Sequence, residues 1–449
     1  MNKTPSRDRV RHSLLAAGLA AALTASLAAC GSSSSSPAAA GGGDCQKSSG
    51  KVTLTYWSWV PGMDKVVALW NSSHPDVQVS LENVPSGDKG TYQKLSNAVK
   101  AGSTPDLSTM EYDHLPEYRL QGGLRDVAGC GVASHQGDFQ DWTWRQVSFG
   151  ENAAYAIPQD TGPMALYYRT DLFAKYGIAV PQTWADFEAA AKQVHQADPS
   201  VYLSNGATGG AWFASMAWQH GASWFSLDKD AWKASVNDKA TQETAEYWQR
   251  LRSEGLLSNA IDFSDQFNQG LNEDKLLTWA APVWAVPLVK TDAPKTAGKW
   301  GVAPLPQWNA GEAANGNWGG SSTAVFKNSK HPYEAAQFAL WLSTDPQALA
   351  LEITNGGLYP AAKAGAALPE LQQPDPFYGD QKVYDVFAKA SGEVNTGFQW
   401  GPVMTNTYGA LGDAVNASVN GTGSLSAGLD AAQRKTVDAM KQQGLKVQQ

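Results

Sequence analysis

The chain is predicted to fold as an α/β protein built on doubly wound sheets. Two observations in the first third carry this: apolar periodicity switches between the strand and helix repeats, and the segments so defined alternate one for one. A third is length, since 449 residues exceed what one hydrophobic core serves and two lobes are expected.

Val52, Leu54 and Tyr56 share one face of KVTLTYW (51–57), a strand. Val66, Val67 and Trp70 then fall on one helical face, which His74-Pro75-Asp76 ends. VQVSLENV (77–84) alternates again. Tyr92, Leu95 and Val99 keep helical spacing up to Ala101-Gly102, and Leu107 to Met110 reads as the third strand. This β-α-β-α-β order implies a parallel sheet whose ligand end lies beyond the strand carboxyl ends, at 56–60 and 110–113. A second lobe is expected after Tyr155-Ala156-Ile157-Pro158. Thr183 caps a helix with Trp184, Phe187, Ala191 and Val194 on its buried face. Gln242 to Leu251 reads as a helix, and LLTWAAPVWAVPL (276–288) as a strand running into a proline-limited loop. Pro332 opens a helix to 342, and 429–440 is helical.

The hydrophobic fraction of 43% and charged fraction of 17% fit a globular chain. Its N-terminus reads as a targeting segment. Lys3, Arg7, Arg9 and Arg11 precede an apolar run from Leu14 to Ala29, too short and Ala-rich for a membrane span. Leu27-Ala28-Ala29-Cys30 resembles a bacterial lipobox, which makes residues 1–29 a lipoprotein signal peptide and Cys30 the acylated residue. GSSSSSPAAAGGG then opens a flexible tether assigned to residues 30–50. Removing 1–29 leaves 30 basic and 41 acidic residues, a net of −11, which disfavours nucleic acid and anionic lipid surfaces as partners. No second run of 18 apolar residues follows, so no span is expected in the mature chain. Cys45 and Cys130, an even pair in an exported chain, are expected to form a disulfide. No Cys/His cluster has ligand spacing, so neither a metal nor a cofactor is expected. The 18 Trp outnumber the 13 Phe. Indole needs a partner for its N–H when buried, so such a surplus points to rings facing a ligand.

Several blocks, in order, resemble the extracellular solute-binding protein family 1, the maltose-binding-protein-like receptors of sugar ABC transporters. They are VTLTYWSW, HPDVQVSLENV, YQKLSNAVKAGSTPDL to EYDHLPEYRLQGGLRDV, and YAIPQDTGPMALYYRTDLFAKYGI with VPQTWADFEAAAKQV. TWAAPVWAV, KWGVAPLPQW, NWGGSSTAVFKNSKHPYEAAQFALWLSTDPQA, GGLYPA and FQWGPV follow. The resemblance implies a two-lobed periplasmic-binding-protein-like fold with a hinge crossed more than once. Lobe 1 is then 51–158 with 304–344, and lobe 2 is 159–303 with 345–449. By the same resemblance the crossings fall near Pro158–Gly162, Pro304 and Thr344–Asn355.

What the resemblance implies for function is a monomeric, lipid-anchored receptor outside the cytoplasm. It captures a carbohydrate, a di- or oligosaccharide, and delivers it to ABC transporter permease subunits without catalysis. Sugar C–H faces pack on aromatic rings, and hydroxyls pair with carboxylates. On that chemistry the candidate ligand residues are Trp59 (with Trp57 as its alternative), Asp113, Asp160, Trp212, Trp284, Trp318, Tyr359 and Trp400. Asp113 has an alternative role as a helix cap, and Asp160 as a hinge brace. The family's Gly-Pro-Trp is replaced here by Ala281-Pro282-Val283-Trp284. Trp70, Trp184, Trp248 and Trp341 fall at apolar helix positions and are assigned to the core. An envelope glycosidase and a receptor for a non-sugar solute are the alternatives. The G-x-S-x-G, Walker A and H-E-x-x-H signatures are absent, which disfavours common hydrolase and nucleotide chemistry.

Overall fold

A computed structural model describes residues 45–206, 208–228 and 231–448. The expected signal peptide at 1–29, Cys30 and the expected tether up to residue 44 lie outside the described residues. Eleven strands are numbered in chain order: β1 (Val52–Ser58), β2 (Val77–Asn83), β3 (Leu107–Glu111), β4 (Ala156–Pro158), β5 (Met164–Arg169), β6 (Phe225–Asp228), β7 (Ala231–Ala234), β8 (Thr278–Pro282), β9 (Trp300–Pro304), β10 (Ser321–Val325) and β11 (Val447–Gln448).

The first sheet has the order β2-β1-β3-β10-β4. β1 pairs in parallel with β2, Val52 opposite Val77, and with β3, while β10 runs antiparallel to both β3 and β4. In β1 the alternation is realised: Val52, Leu54, Tyr56 and Ser58 are buried, and Thr53 and Thr55 are exposed. Helix Met63–Ser73 buries Met63, Val66, Val67 and Trp70. Helix Pro332–Thr344 sets the Phe338 ring edge-on to Tyr56 (5.6 Å) and Trp70 (5.3 Å). Pro332 at its first position loses no intrahelical hydrogen bond.

The second sheet, β8-β5-β9, is antiparallel throughout, so parallel pairing among the numbered strands is confined to β1, β2 and β3 of the first sheet and to β7 with β11 of the third. Isolated parallel bridges Tyr202–Leu276 and Ser204–Leu257 lie beside it. Thr183 closes a capping box with Asp186 at the head of helix Trp184–Ala197. A small sheet, β11-β7-β6, ties the C-terminal end to the second lobe.

Three sequence expectations change. The assigned tether ends earlier than residue 50: Cys45 is disulfide-bonded to Cys130 with Cα atoms 5.3 Å apart. The Ser48 N–H also donates to Glu334 Oε1 (2.6 Å), so residues 45–50 are pinned to the first lobe by these bonds. The proline-limited loop expected at the end of 276–288 is instead a helix, Ala285–Asp292, with Pro287 in its first turn, where a missing N–H costs nothing. The third passage between lobes falls after Ala362 instead of at Thr344–Asn355. Helix Pro346–Leu351 and the π-helical turn that follows pack on helix Met63–Ser73, where Asn355 accepts from Lys65. Ala362 still bridges Phe139, whereas helix Val383–Gly392 lies against β9 and β5.

Candidate functional site

Two segments carry the chain between the sheets side by side: 159–163 joins β4 to β5, and 305–320 joins β9 to β10. The Trp318 N–H donates to the Gly162 carbonyl (2.8 Å), and the Gly162 N–H to Asn317 Oδ1 (2.7 Å). A Cβ on Gly162 would lie 1.9 Å from the Trp318 carbonyl oxygen, so only glycine allows this approach. Asp160 is buried between the segments. Its Oδ1 accepts from the Ser321 N–H (2.7 Å), and its carbonyl accepts from the Tyr112 hydroxyl (3.1 Å). Burial away from water pushes its carboxyl up to about 7. Gln159 Nε2 donates to buried Glu352 (2.5 Å), and burial likewise holds that carboxyl well above the usual range. The Thr161 N–H donates to the Tyr359 carbonyl (2.9 Å). Asp160 thus braces the crossing, and Tyr359 contributes its backbone to it. The Tyr359 ring is buried against Tyr384 (6.3 Å, 13°).

Trp284 follows β8 at the N-cap of helix Ala285–Asp292 and stays half-buried. Its Nε1–H donates to the Trp318 carbonyl (2.9 Å), and the two rings meet edge to face at 5.0 Å and 71°. Phe263 completes the group, 6.3 Å from Trp284 at 29° and 6.3 Å from Trp318 at 56°. Phe263 is 51% exposed, and its backbone is left-handed at φ 66°. For a bulky residue that conformation costs about 1 to 3 kcal/mol and persists only where neighbours enforce it. Here they do. Asp262 accepts from Asn205 Nδ2 (2.7 Å) and Thr208 Oγ1 (2.6 Å), and Ser264 caps helix Asp265–Asn272.

Beyond β3 lies a polar cluster. The Trp59 ring, half-buried, meets Tyr92 edge-on at 5.9 Å, and Tyr92 stacks on His114 at 3.8 Å. The Tyr92 hydroxyl donates to Glu111 (2.7 Å), and the Tyr408 hydroxyl to Asp113 Oδ2 (2.9 Å). Glu111, Asp113 and His114 bring ligand-type atoms within 4.8 Å of one another, a grouping that cysteine and histidine spacing does not reveal. With two tyrosine hydroxyls already on its carboxylates, the cluster is built to receive O–H donors. His114, not Asp113, holds the cap position of helix Leu115–Leu120. Tyr408 comes from helix Met404–Val419, which packs on helix Gly210–Gln219 of the second lobe, so its bond to Asp113 joins the two lobes.

The sequence pattern of the bacterial extracellular solute-binding protein family matches residues 56–349, more than half of the chain. The chain belongs to this family. The solute-binding protein is 26% identical over 364 residues to the lactose-binding protein of Rhizobium radiobacter, covering 77% of this chain and 83% of that one. It is 24% identical over 308 residues to the arabinooligosaccharide-binding protein of Bacillus subtilis, covering 65% and 70%. Among solved structures, it resembles the galacto-N-biose/lacto-N-biose I-binding protein of an ABC transporter from Bifidobacterium longum in complex with lacto-N-biose. That match has TM-score 0.79 and 29% identity, over 90% of this chain and 100% of that one. A second is the ABC transporter-associated binding protein of B. animalis subsp. lactis Bl-04 in complex with β-1,6-galactobiose, with TM-score 0.74 and 30% identity over 88% and 99%.

Within this solute-binding protein the expected positions separate. Trp284 and Trp318 touch, Asp160 is hydrogen-bonded to Ser321 just past Trp318, and Trp59 and Asp113 share the cluster beyond β3. Trp212 is a correction: it is 2% exposed, with Nε1–H donating to the Ala280 carbonyl of β8 (2.9 Å) and its ring edge-on to Trp248 (5.0 Å). Both partners belong to the second lobe, so the ring is core. Trp400 is buried against Trp218 (5.5 Å), Phe398 (4.7 Å) and Tyr408 (6.0 Å), and meets the cluster through Tyr408. Trp57 carries the Lys94 ammonium 3.7 Å above its ring. Trp70, Trp184 and Trp248 are buried, and Trp341 packs partly buried on the same core. Phe263 and Tyr408 were missed. The first is an aromatic in an unmarked loop, and the second lies on a helix that only tertiary packing brings to Asp113.

Proposed function

We propose that this solute-binding protein captures a carbohydrate, a di- or oligosaccharide, between its lobes and hands it intact to an ABC transporter permease. In this reading Cys30 bears the lipid that holds the chain at the outer face of the cell membrane, and the protein acts as a monomer. The observation that carries it is the half-buried Trp284–Trp318 pair, set where the chain crosses between lobes. A sugar C–H face covering about 100 Å² of those rings contributes on the order of 2.5 kcal/mol. Asp113 supplies a carboxylate that takes a ligand hydroxyl in the way it takes the Tyr408 hydroxyl. The lactose, arabinooligosaccharide, lacto-N-biose and galactobiose ligands named for the relatives support the same class of solute.

Capture then follows from differential binding. A sugar touching both lobes binds the closed form better, and only that difference moves the population. A shift from mostly open to mostly closed needs roughly 5.5 kcal/mol, within reach of two stacked rings and a few charge-assisted hydrogen bonds. A thermal-shift screen over mono-, di- and oligosaccharides, polyamines and phosphodiesters tests the proposal. A sugar at 100 times its Kd adds about 2.7 kcal/mol of stability. Stabilisation by a polyamine or phosphodiester alone would favour a non-sugar solute, and released monosaccharide in the mixture would favour a glycosidase.

A further inference from the structure

We propose that Phe263 is a third stacking surface of this site, and that through it the protein selects ligands of two or more sugar rings over a single ring. The inference rests on the carbohydrate reading above and deepens it. Three independent features meet at this residue. The residue is 51% exposed, where most large apolar side chains among the described residues are buried. Its backbone is held at φ 66°, a conformation glycine would adopt freely, and yet a phenyl group is kept there. The ring lies beside both tryptophans of the site, inclined only 29° to Trp284, with Trp279 edge-on behind it at 5.7 Å.

The flanking bonds explain how the ring is held out. Asp262 is fixed by Asn205 and Thr208 on one side. On the other, the Ser264 N–H and hydroxyl both donate to the Ile261 carbonyl (3.1 and 2.6 Å) while its Oγ caps the next helix. The turn is locked at both ends, and Phe263 between them has its ring projected beside Trp284 instead of into a core. A single pyranose is covered by the Trp284–Trp318 pair. Phe263 lengthens the apolar floor, and a ring stacked on it belongs to a second sugar unit.

Isothermal titration with galactose, glucose, lactose, lacto-N-biose, β-1,6-galactobiose and arabinobiose, on the wild-type chain and on Phe263→Ala, Phe263→Gly and Phe263→Tyr, tests this. The expected result is a five- to tenfold weaker Kd for the bound disaccharides in Phe263→Ala and Phe263→Gly, with monosaccharide affinity changed less than twofold. Phe263→Tyr keeps wild-type values. Phe263→Gly also raises the unliganded melting midpoint, because the left-handed turn no longer carries a side chain, so its loss of affinity is not a folding defect. Equal losses for mono- and disaccharides, or none in either, would overturn the role of Phe263 while leaving the receptor reading standing. A wild-type chain that binds no sugar of the panel would bring down both.

Discussion

Asp160 is the residue whose chemistry is most open to a direct test. The folded chain holds its proton up to about 7 against an ordinary 3.8, so this group stabilises the fold fully below pH 3.8. That contribution falls as pH rises toward 7 and is constant above, a loss of roughly 4 kcal/mol. Asp160→Asn keeps an Oδ1 acceptor for the Ser321 N–H and removes the titration. The variant is expected to match the wild type near pH 4 and to melt at a higher temperature at pH 8. Parallel melting curves at both pH values would mean that Asp160 ionises without cost. At this scale the sequence was partly legible. Trp284 stands two residues past β8, where Ala-Pro-Val-Trp replaces the family's Gly-Pro-Trp, and the structure places it against Trp318. Trp212 was misread because helix Gly210–Gln219 is buried on nearly every side, which leaves no periodicity to separate a ligand-facing ring from a core ring. Phe263 had no signal at all, since its loop is fixed through the neighbouring Asp262 by hydrogen bonds from Asn205 and Thr208, far off in sequence.

Among the elements, β1 and its two following helices were readable because one face of each is buried and the other wet. The helix from Ala285 was hidden by Pro287, which reads as a breaker unless its place in the first turn is known. The N-terminal boundary was hidden because Ser-Gly-rich sequence looks like linker even where a disulfide and the Ser48–Glu334 bond hold it. That bridge links residues 85 apart, and removing it as Cys45→Ser with Cys130→Ser is expected to cost about 2 to 5 kcal/mol in urea unfolding. An unchanged midpoint would show that the segment from 45 to 50 adds nothing to the first lobe.

Over the whole molecule, two sheets are joined by side-by-side crossings in which Gly162, Asn317 and Trp318 interlock, and the aromatic pair sits at that junction. In the proposed reading, rings placed at this junction couple solute contact to lobe closure. The bond from Tyr408 to Asp113 adds a second link between the lobes. The resemblance in block order made the two-lobed plan legible, whereas the strand directions of the second sheet and the place of the third crossing needed three-dimensional pairing to appear.

The most direct measurement is a calorimetric titration of the intact chain with lacto-N-biose, lactose and arabinobiose, run beside Trp284→Ala, with the recovered sugar analysed afterwards. A saturable one-to-one isotherm for at least one of them, lost in Trp284→Ala at an unliganded melting midpoint close to wild type, and sugar recovered uncut, is the predicted result. No heat with any of the three, undiminished binding by Trp284→Ala, or cleaved sugar in the cell would contradict it.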